Sequence, residues 1–482
     1  MHSRNKMIQQ LPTSCSANLR LAYKSIKMKN HPPFSIISLT LLFLFFSVNL
    51  HAQIKALWVT PWDMNTKEKV LNVIDYSIEW GITDLLVEVR YRADALYVPN
   101  RIIADFPNPE PTSYLLRNNP DFDALETFIQ YTRGTNIRVH AWVTVNVITT
   151  HRLDTLQYNH LYLTHPQWLT YHTNGRRIVL DQFEGAYVDP GIPEVKQYIV
   201  NVFSDIVQNY DIDGLHLDYI RYPHPDYGYN RVSRDRYNTL RNQLDINSFQ
   251  RWKELQLKEQ VQMIGDSIKR INPDIIYSAA VISNISNARN SYAQNWHEWL
   301  DNDLLDYAYI MAYQTRNSNF EQIVANIPER FRERIVVGMR AWSDDGSYYA
   351  SSITQKINLI PSGYAGICFF SFGGIIDGNY QSAVIQYVVN NPVPITRPAR
   401  QQQWLELKLN HDQHITLEII NTYNVRGSWS LLDMSENTIA EGVLSSFDRV
   451  IVIPRTLLDK RYLVLRYEVN DVDYTKLIDL TE

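Results

Sequence analysis

The chain has 482 residues, 45% of them hydrophobic and 20% charged, with a formal net charge of -5. That is the composition of ordinary globular protein, and its acidic balance offers no electrostatic footing for nucleic acid or for an anionic membrane surface. Its two cysteines, Cys15 and Cys368, exclude a disulfide framework, and its length suggests two domains or one large barrel with an appendage.

The first stretch to read is Phe34 to Leu50, FSIISLTLLFLFFSVNL. It is apolar, follows basic residues and ends at Leu50-His51-Ala52, a small-residue cleavage pattern before Gln53. Residues 1–52 are therefore expected to be a signal peptide, with Met28 as a possible true start. The apolar run is short for a membrane span. The mature chain should then be periplasmic or secreted, without a membrane span, and should keep only Cys368.

From residue 54 onward, apolar strand-like runs alternate with helical ones. Lys55–Thr60 is the first strand candidate, followed by a helix to Glu79 with capping-box spacing at Asn65 and Glu68. Asp84–Arg90 is the second strand, and Arg138–Val145 the third after a helix over Phe122–Arg133. A helix over Val195–Asn209 leads to the fourth strand, Gly214–Ile220, within DIDGLHLDYIRYP (Asp211–Pro223). After the long helix Asn247–Ile271 come Ile275–Ile282, Tyr307–Gln314, Ile335–Trp342 and Tyr364–Phe372. Eight strands separated by helices predict a (β/α)8 TIM barrel over residues 54–392, with its active end at the C-terminal ends of the strands. Residues 393–400 (VPITRPAR from Val393) read as a linker. Short alternating runs over 401–482 predict a small β-sandwich, Ig- or fibronectin-III-like, and carry no cluster of chemical interest.

Side chains alternate faces along a strand, so inward polar residues can be read off. Strand two offers Glu88 and Arg90 on one face. Strand three offers His140 and Trp142, with Asn146 just beyond. Strand four offers His216 and Asp218, strand six Tyr313, and strand seven Arg340 and Trp342. Two carboxylates in one barrel mouth are the minimum for glycoside cleavage: one protonates the leaving oxygen, the other acts as base or nucleophile. Asp218 and Glu88 are the candidate catalytic pair. Apolar neighbours would raise the Asp218 pKa and favour a proton donor, and alternation turns Arg221 to the opposite face. Glu88 could instead be tied up by Arg90 or Arg340. The chain holds 31 Tyr and 11 Trp, and rings with a flat apolar face and a polar edge suit sugars. Trp142, Tyr222, Tyr313 and Trp342 are the expected groove rings. Glu88, His140, His216 and Asp218 are metal-ligand types, but no HxH or HExxH spacing supports a site, so no metal and no cofactor is assigned. The absence of a GxSxG elbow argues against acyl transfer.

The stretches ALWVT, VEVRYRADALY (Val87–Tyr97), VHAWVTVN (Val139–Asn146), HPQWL (His165–Leu169) and VDPGIPEVKQYIVNVFSDIVQNYDIDGLHLDYIRYP (Val188–Pro223) make the chain resemble the glycosyl-hydrolase-like family 10 proteins. These are exported bacterial barrels linked to hydrolysis of cell-wall glycan or other polysaccharide. The resemblance runs from about Lys55 to about Trp342. It implies that Arg90, Asp94, His140, Trp142, Asp189, His216, Asp218, Tyr222 and Tyr313 stand on motif positions. Relatives commonly carry Gln where this chain has Glu88, which leaves the second carboxylate open, with Asp63 and Asp94 as further candidates. A more distant likeness to the chitinase-type DGxDxDxE strand fails where it matters, because Ile220 replaces the catalytic Glu. The expected function is thus cleavage of O-glycosidic bonds in a polymeric glycan, such as peptidoglycan or another amino-sugar polymer. Substrate contacts are expected from Arg90, Asp94, His140, Trp142, Asn146, His216, Tyr222, Tyr313, Arg340 and Trp342. The alternatives are a non-catalytic glycan-binding barrel and a metal-dependent deacetylase or hydrolase.

Overall fold

The computed structural model describes residues 53–390 and, beyond them, residues 405–409, 414–419, 427–433, 438–444, 450–454, 462–469 and 472–479. The expected signal peptide and linker lie outside the described residues.

Eight parallel strands close into a barrel: β1 (Ile54–Val59), β2 (Asp84–Arg90), β3 (Arg138–Thr144), β4 (Gly214–Asp218), β5 (Ile276–Ile282), β6 (Tyr307–Ala312), β7 (Ile335–Arg340) and β8 (Gly366–Phe370). Each pairs with the next, and β1 pairs with β8, Ile54 opposite Gly366. The principal helices that follow the first four strands are α1 (Lys67–Glu79), α2 (Ala124–Thr132), α3 (Pro193–Asn209) and α4 (Phe249–Ile271). Local signals start them. The Asp123 carboxylate accepts from the Glu126 amide at the head of α2, Pro193 opens α3, and the Ser248 hydroxyl accepts from the Arg251 amide at the head of α4. For α1 the cap sits one residue later than expected. Thr66 receives the Lys69 amide, while Asn65 takes the Lys69 ammonium instead.

The strands are apolar on both faces. Leu57, Val87, Val143, Leu215 and Leu217 pack outward under the helices. Ala56, Trp58, Leu86, Trp142, Tyr309 and Cys368 fill the interior. Trp58 is the largest piece of that filling, and Gly338 gives it room: a Cβ there would meet the indole Cη2 at 2.9 Å. At the barrel floor Arg138 Nε lies 2.6 Å from Asp84 Oδ1, and His140 Nε2 lies 2.8 Å from the same oxygen. Burial alone would raise the Asp84 pKa, but Arg138 and His140 outweigh it and hold the carboxyl below its usual range.

One irregularity sets what β2 presents to the mouth. Glu88 pairs with Trp142, but the next registered pair is Arg90 with Val143, so β2 carries a one-residue bulge. Because side chains alternate, the extra residue reverses the face of everything after it. Arg90 therefore does not share the Glu88 face, contrary to the alternation reading. It turns outward beneath α3, with its guanidinium 5.6 Å from the Phe203 ring. There it donates to both Glu110 oxygens and to the Thr144 carbonyl.

The C-terminal strands are β9 (Leu405–Leu409), β10 (His414–Ile419), β11 (Gly427–Leu432), β12 (Thr438–Leu444), β13 (Val450–Pro454), β14 (Tyr462–Val469) and β15 (Val472–Asp479). They form two antiparallel sheets, ordered β13-β10-β9 and β12-β11-β14-β15. Strand β12, TIAEGVL, is too polar and glycine-bearing to have stood out in the sequence. Packing of one sheet on the other as a sandwich lies outside the described residues.

The Arg90–Glu110 pair is fully buried on both sides, so breaking it strands a charge. Glu110→Gln is expected to destabilise the barrel by about 3–5 kcal/mol, and a paired Arg90→Met/Glu110→Leu replacement to recover much of that loss, as read by urea unfolding.

Candidate active site

Asp218 is the last residue of β4 and is 7% exposed. Its Oδ1 accepts the Tyr219 amide at 2.6 Å, and its Oδ2 accepts the Trp142 indole N–H at 3.3 Å. Tyr219 adopts a left-handed φ of 52°, which ends the strand and folds the chain back over its own end. Arg221 consequently returns toward Asp218, with Nη1 4.0 Å from Oδ1. Alternation had turned it to the opposite face. Burial raises the Asp218 pKa, while Arg221, the Tyr219 amide, Arg92 and the Trp142 indole pull it down. The carboxyl is thus buried but furnished with the donors that an ionised form requires.

Glu88 is 4% exposed and sits in a different field. Burial pushes its pKa well above the usual glutamate value; Arg92 opposes that, and the charges of Asp218 and Asp94 add to it. Glu88 therefore holds its proton more firmly than an exposed glutamate. Asp94, in the turn after β2, is buried as well. Its pKa is raised by burial and by Glu110, against a hydrogen bond from Ser113 and the charge of Arg90. The turn is strained: Arg92 and Ala93 have φ of 61° and 63°, an arrangement that costs energy for non-glycine residues and clusters at functional sites.

The remaining expected site residues separate by height. Trp142 reaches the mouth through its indole bond to Asp218 but is otherwise buried. His216 lies one layer below Asp218. Its Nε2 accepts the Trp58 indole N–H at 3.2 Å, which places the ring proton on Nδ1, 2.9 Å from Ser278 Oγ. Burial lowers its pKa well below the usual histidine value, helped by His140, so this neutral form persists. His140 faces inward as expected but belongs to the floor, bound to Asp84. Asn146 exchanges two side-chain bonds of 3.1 Å with Gln260 of α4 and braces β3 against that helix. Tyr222 is 1% exposed and packs in the core beside Asp189. His140, Asn146 and Tyr222 are thus away from the mouth. Tyr313 and Trp342 are half-buried and pack edge to face at 5.1 Å, with Phe370 beside both. Arg340 stacks on Trp342 at 4.2 Å and bonds Asp344 at 2.8 Å, so it does not tie up Glu88. Asp63 is held by the Thr60 hydroxyl at 2.7 Å. Among the described residues no three His, Cys, Asp or Glu side chains are grouped to hold a metal ion.

Two residues at this end, Arg92 and Trp62, escaped the sequence reading, and a third, Arg221, was turned to the wrong face. Arg92 and Arg221 both lie on the Tyr219 ring, at 4.6 and 4.3 Å. Trp62, in the turn after β1, is 50% exposed and sits edge to face with Tyr91. Only the Pro-Trp-Asp turn directly after a strand could have flagged Trp62.

With this geometry in hand, comparison with known proteins places the chain. The family model described as glycosyl hydrolase-like 10 matches residues 53–335. The chain belongs to that family. Glycosyl hydrolase YngK of Bacillus subtilis is 26% identical over 217 residues, 43% of this chain and 38% of that one. Glycosyl hydrolase DigH of Escherichia coli K12 is 24% identical over 269 residues, 50% of this chain and 56% of that one. The chain thus spans about half or less of the length of these curated relatives. Among solved structures, the glycoside hydrolase domain of PgaB (BpsB) from Bordetella bronchiseptica is similar, with a TM-score of 0.48 and 12% identity, covering 69% of this chain and 98% of that one.

In this glycosyl-hydrolase-like barrel the VDPG motif has a bracing task. Asp189 accepts the Gly191 amide at 2.9 Å and the Asn230 amide at 3.1 Å, stitching the loop after β3 to the loop after β4. Burial raises its pKa to about 6, against those two amides and Lys253. An acid raised on folding contributes stability that is complete below its unfolded pKa, near 4, and is lost as pH rises through the folded value. The stability of wild type relative to Asp189→Asn is therefore expected to fall by about 2 kcal/mol between pH 4 and pH 7 in urea titrations.

Proposed function

We propose that this chain is an exported glycoside hydrolase that cleaves O-glycosidic bonds of a polymeric glycan, with Glu88 as general acid and Asp218 as nucleophile or base. The observation that carries this reading is the contrast between the two buried carboxyls of one barrel mouth. Glu88 lacks the close amide and indole donors of Asp218, and burial raises its pKa well above the usual value. Asp218 has four donors or cations that favour its charged form: Arg221, the Tyr219 amide, Arg92 and the Trp142 indole. Burial raises both pKa values, Glu88 well above its usual value and Asp218 against four opposing groups, and such unequal surroundings are what acid–base division of labour needs. This assignment reverses the expectation from alternation, because the chain reversal at Tyr219 brings Arg221 to Asp218.

Glu88 would pass its proton to the glycosidic oxygen as the bond from the anomeric carbon to that oxygen breaks. The Asp218 carboxylate would either add to the anomeric carbon or take a proton from the water that does. A carboxyl separation of about 5–5.5 Å gives retention and about 6.5–9.5 Å inversion. Tyr313, Trp342 and Trp62 would stack sugar faces. The motif resemblance makes an amino-sugar polymer such as peptidoglycan the favoured substrate. The apolar leader at 34–50 supports a periplasmic or secreted site of action, and the two C-terminal sheets would pack as a sandwich.

Glu88→Gln and Asp218→Asn should each lower turnover by about 10²–10⁴-fold with little change in melting temperature. Activity should follow a bell in pH, rising as Asp218 ionises and falling as Glu88 loses its proton. Glu88→Gln should abolish the alkaline limb. Product release from sacculi and from a glycan panel, followed by mass spectrometry, checks this; undiminished hydrolysis in both variants would defeat the assignment, and no cleavage of any glycan by wild type would leave a binding barrel. Trp342→Ala should weaken glycan binding by about 1–2 kcal/mol in calorimetry while the unfolding curve stays in place.

A further inference from the structure

The arginines of this barrel fall into two kinds. All three guanidinium nitrogens of Arg90 are engaged, by Glu110 and by the Thr144 carbonyl. Arg92 reaches the Tyr219 hydroxyl through Nη2 at 3.4 Å and also bonds Tyr91, while Arg221 reaches Glu184 through Nη2 at 3.0 Å. The Nε and Nη1 atoms of both are buried and make no hydrogen bond. Four unbonded guanidinium nitrogens flanking one ring and one carboxylate are costly. Arg221 Nη1 lies 4.0 Å from Asp218 Oδ1, close enough for an ion pair but too far for a hydrogen bond. Both guanidiniums are presented beside left-handed backbone, at Arg92 and Tyr219, so the chain bears strain to hold them there.

We propose that Arg92 and Arg221 bind a carboxylate carried by the glycan, so that the residue bound beside Asp218 is an acidic sugar. This rests on the hydrolase reading for its location and deepens it by naming the substrate class. Guanidinium presents planar N–H pairs that match a carboxylate, and lysine cannot reproduce that match. A single negative charge suits the place, because Asp218 and Glu184 would repel a dianion such as a phosphate monoester. Stacking on Tyr219 fixes the guanidinium planes before the ligand arrives, which lowers the ordering cost of binding. Two common sugar chemistries bring such a group: a uronic acid, with the carboxylate on the ring, and an amino sugar bearing a lactyl ether.

The test compares binding of short oligosaccharides by calorimetry. The probes are uronic-acid oligomers, peptide-free amino-sugar oligomers with lactyl ethers, each of these with its carboxylates reduced to alcohols, and neutral chitin oligomers. Wild type is expected to bind one of the acidic probes at least about tenfold more tightly than its reduced form, and which probe does so identifies the source. Arg92→Gln and Arg221→Gln should each lower that acid-to-reduced ratio by about tenfold to a hundredfold, and Arg92→Lys should restore only part of it. Reading a ratio within one protein cancels any general loss of folded material, and Arg92→Lys serves where Arg221→Gln fails to fold. Equal affinity for acidic and reduced probes overturns the proposal, as does a preference that survives all three variants. Selective acidic binding without cleavage would sink the hydrolase reading and leave this one standing. A hydrolase that cuts neutral and acidic polymers equally well would do the reverse.

Discussion

Two indole N–H groups determine how β4 can carry a histidine and an aspartate into an apolar barrel. The Trp58 indole donates to His216 and the Trp142 indole to Asp218. Each polar side chain of the strand thus meets a ring that is otherwise hydrophobic filling. Without these donors, burying either group would cost several kcal/mol. With them, the aromatic filling supports both the polar strand and the site above it. Trp58 also touches Tyr309, Tyr313 and Phe370, so packing of the interior and orientation of the acid-bearing strand are one problem.

Above this layer the mouth sorts its charges by hydrogen bonding. Arg90 and Glu110 neutralise each other under α3 and stabilise the β2 loop. Arg138, Asp84 and His140 do the same at the floor. Four unbonded guanidinium nitrogens are gathered around Tyr219, where buried carboxyls and half-engaged guanidiniums share a small volume. Among the described residues no other place gathers as many buried, unbonded guanidinium nitrogens, and it lies at the end of the barrel where the architecture favours chemistry.

Much of the fold was legible in the sequence, and the reasons differ from those that hid parts of the site. The eight strands were found because each is an apolar run bounded by caps and turns; their observed limits differ from the expected ones by no more than two residues. Glu88 and Asp218 were found because alternation tells which face a residue occupies. Alternation does not tell height, so His140 was assigned correctly to the interior but wrongly to the mouth. It has no authority past a strand end, which is why Asn146 and Tyr222 were misplaced. It fails at a bulge, which misplaced Arg90. Arg92 was missed and Arg221 was turned the wrong way because their positions depend on positive φ at residues other than glycine, for which no residue type gives warning.

The β2 bulge carries an evolutionary and engineering consequence. Flattening the bulge with the sequence unchanged would keep every chemical group of the strand but return Arg90 to the Glu88 side. The glutamate would gain a permanent counterion, its proton would become easy to lose, and Glu110 would be left alone beneath α3. The electrostatics of this mouth therefore depend on the register of the backbone as much as on the identity of its side chains. Aligning relatives by residue type across this strand without counting the inserted position would transfer roles to the wrong face.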